Sequence, residues 1–421
     1  MSPAGGARKP RRQPRAGRAA HRVGPLVGGK RAAAALDVDA LLDDRRTEII
    51  VCCGSGGVGK TTTAAALALR AAERGRSVVV LTIDPARRLA QSLGLSALDN
   101  TPATVDAGPA VEAAGGRLDA MMLDMKRTFD EVVEAHASPE KAEQMLTNPF
   151  YVALSSSFAG TQEYMAMEKL GQLYARKDRG WDLIVVDTPP SRSALDFLDA
   201  PEHLSSLLDG RFIRLLIAPA RGPVRLLSTG VGVVTNVLSK VLGAQVLRDL
   251  QTFIAAFDTL FGGFRQRAER TYALLQAPQT AFVVVATPEP DALREAAYFV
   301  ERLGEDKMPL AGLVLNRVTG SSAPALSRER ALEAAEQLRD GLSDGGESEH
   351  AAVEGLLRLH AERAGSRARQ LRLVRRFIAA HPWVAATAVP ALPGDVHDVD
   401  GLRRIGELLS RADAGVDEDV A

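Results

Sequence analysis

Cysteine is almost missing from this chain of 421 residues: there are two, adjacent at positions 52 and 53. A strand sends neighbouring side chains to opposite faces, so the pair suits buried packing in a reducing compartment, not a disulfide or a metal site. The histidines at 136, 203, 350, 360, 381 and 397 show no ligand spacing, and no zinc is expected. No apolar run reaches the ~18 residues of a membrane span, so the chain reads as soluble and cytoplasmic, with peripheral membrane contact left open. Net charge is absent too, because 52 basic and 52 acidic residues cancel. That balance hides an asymmetry. Residues 1–36 carry nine Lys/Arg and no acid, which leaves the rest acidic by nine. The leader, residues 1–45, lacks the apolar core of a secretory signal and reads as disordered. An arm for an anionic surface is the other reading of its charge, although no nucleic-acid partner is expected.

Glycine is placed where it carries chemistry. Residues 54–61 read Gly54-Ser55-Gly56-Gly57-Val58-Gly59-Lys60-Thr61, after the apolar run Ile49–Cys53 and before the alanine-rich stretch Thr62–Leu69. Strand, glycine loop and helix N-terminus in that order form a phosphate cradle. Backbone N–H groups of Gly56, Gly57, Val58, Gly59, Lys60, Thr61 and Thr62 turn onto phosphate oxygens. Lys60 reaches the terminal phosphates, and the Thr61 hydroxyl ligates Mg²⁺. A chance glycine-rich turn would not carry both correct flanks. Gly24, Gly29 and Lys30 repeat the glycine-to-lysine spacing, but Arg31 stands where a hydroxyl is needed and no apolar strand precedes them. One nucleotide site per chain is expected.

Short β-branched runs recur at Glu48–Cys53, Ser77–Ile83, Leu183–Asp187, Ala281–Thr287, Leu310–Asn316 and Val384–Val389. Near-continuous apolar strands of this kind belong in a parallel sheet covered on both faces. The expected fold is α/β: a doubly wound, mostly parallel sheet with an inserted α-helical subdomain at about 115–180 and 195–275. The domain is expected over 46–412, followed by an acidic tail at 413–421.

A nucleotide hydrolase needs more than a cradle. Thr82-Ile83-Asp84-Pro85-Ala86 ends the second strand with a carboxylate, and Asp84 could orient the attacking water toward the γ-phosphate. The plainer reading of Asp84 is a helix N-cap. Trp181–Pro190 gives an apolar strand ending in Asp187, which would hold Mg²⁺ through water. The late strand ends Leu315-Asn316-Arg317, without the Lys and Asp of an Asn-Lys-x-Asp guanine site. Asn316 can meet an adenine edge, and Pro390, Leu392 and Pro393 lie in a loop that could close over the base. ATP is favoured over GTP.

In order and spacing, the glycine loop, Asp-Pro-Ala, Asp-Thr-Pro-Pro, Leu-Asn-Arg and Val389–Val396 resemble one family. It is the arsenical pump-driving and tail-anchored-protein-targeting ATPases, dimeric P-loop enzymes with a deviant Walker A; the chain is similar to their actinobacterial anion-transporting subunits. The resemblance spans about 46–412. It implies ATP hydrolysis, Asp84 in a first switch, Asp187 in a second, adenine contacts from Asn316 and the 390–396 loop, and a dimer that opens and closes with ATP.

The chain departs from that family at three points. Ser55 occupies the position from which the family's second lysine crosses to the partner's phosphates. This favours a heterodimer with a paralogue that keeps its lysine, against a homodimer in which another Lys or Arg substitutes. The Cys pair of the family's interfacial zinc clip is missing, and no thiolate trio could bind arsenite. Six of eight methionines fall between Met121 and Met167, and residues 210–248 contain six basic residues and no acid. Both could serve a hydrophobic or membrane-associated client, while ordinary helical core is the plainer reading of the second. The expected function is an ATP-hydrolysing dimeric switch coupled to a client through the helical subdomain. The alternative is a regulatory nucleotide-binding subunit with little turnover of its own.

Overall fold

The computed structural model describes residues 34–84, 88–149, 161–176, 180–189, 266–321, 323–340 and 347–411, together with Tyr151, Val152, Ser155 and Gly263. Its frame is one eight-stranded sheet in the order β3-β4-β2-β5-β1-β6-β7-β8. The strands are β1 Ile49–Cys53, β2 Ser77–Thr82, β3 Ala103–Thr104, β4 Arg117–Met122, β5 Leu183–Asp187, β6 Thr280–Ala286, β7 Leu310–Val318 and β8 Ala386–Pro390. Every neighbouring pair is parallel except β3–β4.

Strand alternation builds two cores. Ile49, Val51, Cys53, Leu81, Val186 and Val284 face one layer, together with Phe129, Leu170, Phe299 and Phe377 from the helices Met125–His136, Thr161–Ala175, Pro290–Glu305 and Glu347–Ala380. Ile50, Cys52, Val80, Val185 and Val285 face the other, beneath the helices Lys60–Glu73 and Val399–Ser410. A sheet covered on both sides explains why its strands are apolar at successive positions. Cys52 and Cys53 point into opposite layers, and burial raises both thiol pKa values, that of Cys53 to about 12.

The helix α1, Val38–Asp43, corrects the expected leader boundary. Val38 and Leu42 are buried, and Asp39 accepts from Arg70 at 2.6 and 2.7 Å, so the residues just before β1 belong to the domain. Arg76 ties this entrance together. Its side chain, 1% exposed, donates to the carbonyls of Leu42 and Thr47 and to the carboxylate and carbonyl of Asp182.

Strand β4 corrects the all-helical reading of residues 115–180. Arg-Leu-Asp-Ala-Met-Met has no β-branched residue and favours a helix locally. Tertiary pairing decides otherwise, for β4 lies in register on β2 from Ser77↔Arg117 to Thr82↔Met122. Its fully buried Asp119 accepts from Trp181 Nε1 at 2.6 Å and from Arg117 Nε at 3.1 Å. The remainder of the stretch does carry the helices Met125–His136, Pro139–Leu146 and Thr161–Ala175. Of 195–275, only position 263 and residues 266–275 are described, all helical, and the basic stretch 210–248 lies outside the described residues. Four of the six clustered methionines are interior, Met121, Met145, Met165 and Met167 being at most 3% exposed, while Met122 and Met125 are half-buried. The four buried ones pack in the core.

Candidate active site

The cradle forms where β1, in mid-sheet, gives way to the helix α2, Lys60–Glu73. Gly54 opens it at a φ of 149°, and a Cβ there would stand 2.1 Å from the Val285 carbonyl oxygen of β6, so only glycine fits. Gly59 closes it as the left-handed N-cap of α2, at a φ of 95°. The unpaired N–H groups of the first helical turn and the positive end of the helix dipole meet at this loop. Lys60 is folded inward and donates through Nζ to the Ser55 carbonyl at 2.9 Å. Burial lowers its pKa, opposed mainly by the Asp187 carboxylate. Gly56 and Gly57 are exposed, Val58 and Ser55 are buried, and Thr61 and Thr62 are half-buried.

Sheet register delivers the acidic side of the site. Asp187 ends β5 beside both β1, where it pairs with Cys52, and β2, where it pairs with Thr82. Thr61 and Thr82 hydroxyls both donate to Asp187 Oδ2, at 2.8 and 2.9 Å. The other oxygen, Oδ1, is buried with no hydrogen-bond partner among the described residues. Desolvation pushes the carboxyl up to about 6 against the pull of the two threonines and Lys60. A buried, orphaned carboxylate oxygen beside a hydroxyl is a donor set that fits a hydrated hard cation such as Mg²⁺. No group of three or more His, Cys, Asp or Glu among the described residues could hold a metal by itself. Asp84 follows β2, half-buried, and its charge acts on both Lys60 and Asp187. The backbone joins the two acidic segments, because Ile83 N–H donates to the Asp187 carbonyl at 3.0 Å. Residues Pro85 to Arg87 lie outside the described residues.

On the far side of the loop, Asn316 Nδ2 donates to the Val58 carbonyl at 2.8 Å and Arg317 Nη1 to the Gly57 carbonyl at 3.2 Å. Asn316, expected at an adenine edge, thus already uses one amide donor on the cradle itself. Pro390 pairs with Val318 across β7–β8, which brings the start of the 390–396 loop to the end of β7, two residues past Asn316. Pro390 and Leu392 are half-buried and Pro393 is exposed. Sequence reading missed Thr82, Thr188 and Arg317. Thr188, whose hydroxyl donates to the Cys52 carbonyl at 2.8 Å, holds the chain leaving β5 against β1. Thr82 shows its role only once the β2–β5 register is known.

Residues 47–335, well over half of the chain, match the anion-transporting ATPases of the ArsA type. The chain belongs to that ATPase family. An ATPase ASNA1 homolog of Cryptosporidium parvum is 26% identical over 266 residues, 63% of each chain. The ATPase BagA of Mycobacterium tuberculosis is 25% identical over 269 residues, again 63% of each. An ATPase GET3 of Malassezia globosa is 30% identical over 169 residues, covering 40% of this chain and 46% of its own. The alignments with the first two thus cover less than two thirds of either relative. The family match ends within the helix Arg328–Asp340, so β8 and the 390–396 loop of this anion-transporting ATPase relative lie past it.

Proposed function

We propose that the chain binds and hydrolyses ATP as a nucleotide-dependent switch. The observation that carries this reading is the convergence of Lys60, Thr61, Thr82 and Asp187 on one end of the sheet, with a buried carboxylate oxygen that has no partner among the described residues. Lys60 leaves the Ser55 carbonyl for the terminal phosphates when nucleotide enters, exchanging a neutral acceptor for an anion. Mg²⁺, held by the Thr61 hydroxyl and through water by Asp187, would neutralise charge on the phosphate oxygens. Asp84 holds the attacking water in line and accepts its proton. Asn316 and the loop of Pro390, Leu392 and Pro393 receive adenine.

The switching role draws on the Ile83–Asp187 backbone bond, because a shift at one acidic segment is felt by the other. The chain after Pro189 would carry that motion to a helical subdomain and its client. The protein acts as a dimer, and Ser55 favours a heterodimer with a lysine-bearing paralogue. A second reading, a regulatory subunit with little turnover, draws on the same fact: Ser55 is buried and uncharged, and supplies nothing to a partner's phosphates. We place this switch in the cytoplasm, with peripheral membrane contact left open; no helix among the described residues is long and apolar enough to cross a membrane.

Phosphate release from ATP and from GTP, each with Mg²⁺, tests the reading on the purified chain. Release from ATP, with GTP at least about tenfold poorer in kcat/KM, is expected from a site lacking guanine-specific groups. No release from either nucleotide, alone or with a lysine-bearing relative, contradicts it, and preference for GTP contradicts the base assignment.

A further inference from the structure

We propose that Asn316 and Arg317 are positioning residues that hold the phosphate loop in its binding conformation from behind. This role rests on the nucleotide-site reading and extends it to how the cradle is kept open. Gly57, at a φ of 78°, and Gly59, at 95°, flank two peptide planes that have little of their own to fix them. In a trans peptide the C=O and the following N–H point opposite ways. A donor pinning the Gly57 carbonyl therefore fixes the Val58 N–H on the other side, and one pinning the Val58 carbonyl fixes the Gly59 N–H. Arg317 and Asn316 supply those two donors. Each bond also polarises its peptide, and the guanidinium most, so the opposite N–H becomes a stronger phosphate donor. Groups fixed before the ligand arrives need no reorganisation when charge appears.

The backbone is shaped to deliver the pair. Between Leu315↔Ala388 and Val318↔Pro390 the β7–β8 register shifts, so Asn316 and Arg317 stand in a bulge outside the ladder. Arg317 sits at a φ of 58°, a left-handed conformation uncommon for any residue but glycine and Asn/Asp. Its N–H donates to Asn316 Oδ1 at 2.9 Å, which orients the amide toward Val58. Gly59 allows the approach, since a Cβ there would lie 2.3 Å from Asn316 Nδ2. A bulge whose only task was to end the strand would not need two side chains on consecutive loop carbonyls.

A base-free ligand isolates this role. Dissociation constants for ATP, GTP and inorganic tripolyphosphate are measured on the full chain, for wild type, Arg317→Ala, Arg317→Lys and Asn316→Asp. Arg317→Ala is expected to weaken all three by a similar factor, about tenfold, as for loss of one charge-assisted bond. Arg317→Lys recovers part of the loss, because an ammonium can still donate to the Gly57 carbonyl. Asn316→Asp turns an acceptor toward the Val58 carbonyl and weakens tripolyphosphate as well. Loss confined to ATP would make these residues base contacts and overturn the proposal, as would unchanged affinities accompanied by a lower kcat. Arg317 is exposed, so unchanged thermal melting of its variants separates these outcomes from misfolding. Wild type that binds none of the three ligands defeats the nucleotide-site reading itself, whereas wild-type binding that Arg317→Ala leaves intact defeats only the positioning role.

Discussion

Replacing Asp84 with asparagine is expected to lower kcat for ATP by about 10²- to 10⁴-fold while leaving KM within a few-fold, the signature of a lost general base. The substitution keeps the size of the side chain but removes its negative charge and its capacity to take a proton. Asp84 stands just beyond β2, close enough for its charge to act on both Lys60 and Asp187. Nucleotide binding relies mainly on the loop, Lys60 and Thr61, none of which is altered. Steady-state phosphate release beside equilibrium ATP binding reads the two effects separately. A fall in kcat of less than about threefold, far short of a general base's contribution, would return Asp84 to the helix-capping role that its Asp-Pro-Ala context also fits. Where wild-type turnover alone is too slow to follow, the complex with a lysine-bearing relative is the form to assay.

The second large effect runs the other way. Ser55→Lys is expected to raise ATP turnover of the isolated chain by at least about tenfold, since a cation supplied in trans to transferring phosphate is worth 10³–10⁵ in the best-developed cases. Ser55 is 8% exposed, and its carbonyl rather than its hydroxyl meets Lys60. The backbone carbonyl that Lys60 meets is kept when this side chain changes, and the exposed Gly56 and Gly57 follow it in the loop. Turnover is read against protein concentration, because a charge delivered across a dimer acts only where chains associate. Brisk wild-type hydrolysis that the lysine does not improve would contradict the heterodimer reading and point to a cation already present in this chain.

What could be read from residues alone divides along a physical line. The glycine loop was legible because its geometry is local: glycines at positive φ, a lysine and a hydroxyl follow one another within eight residues. Strands β1, β2, β5 and β6 were legible because burial on both faces leaves a run of β-branched side chains. Strand β4 was not, since Leu118, Ala120 and Met121 favour helix locally and only pairing with β2 makes them a strand. Thr82 carries no signal of its own; it matters because parallel register sets it opposite Asp187, 105 residues later. The left-handed backbone at Arg317 was equally hidden, for an arginine gives no warning of positive φ as a glycine does. Composition marked six clustered methionines as adaptable side chains without telling that four of them lie in the core.

The most direct test of the site is a calorimetric titration of the purified full-length chain with ATP in the presence of Mg²⁺, wild type beside Lys60→Ala. Wild type is expected to bind one ATP per chain, since the loop that starts at Gly54 is the one cradle with the correct flanks and the Gly24–Lys30 stretch is not a second. Loss of the ammonium should weaken that binding by about 10²-fold, in keeping with a charge-assisted contact to phosphate. Binding that is absent in wild type, or that survives Lys60→Ala undiminished, would contradict the assignment of this loop as the phosphate cradle.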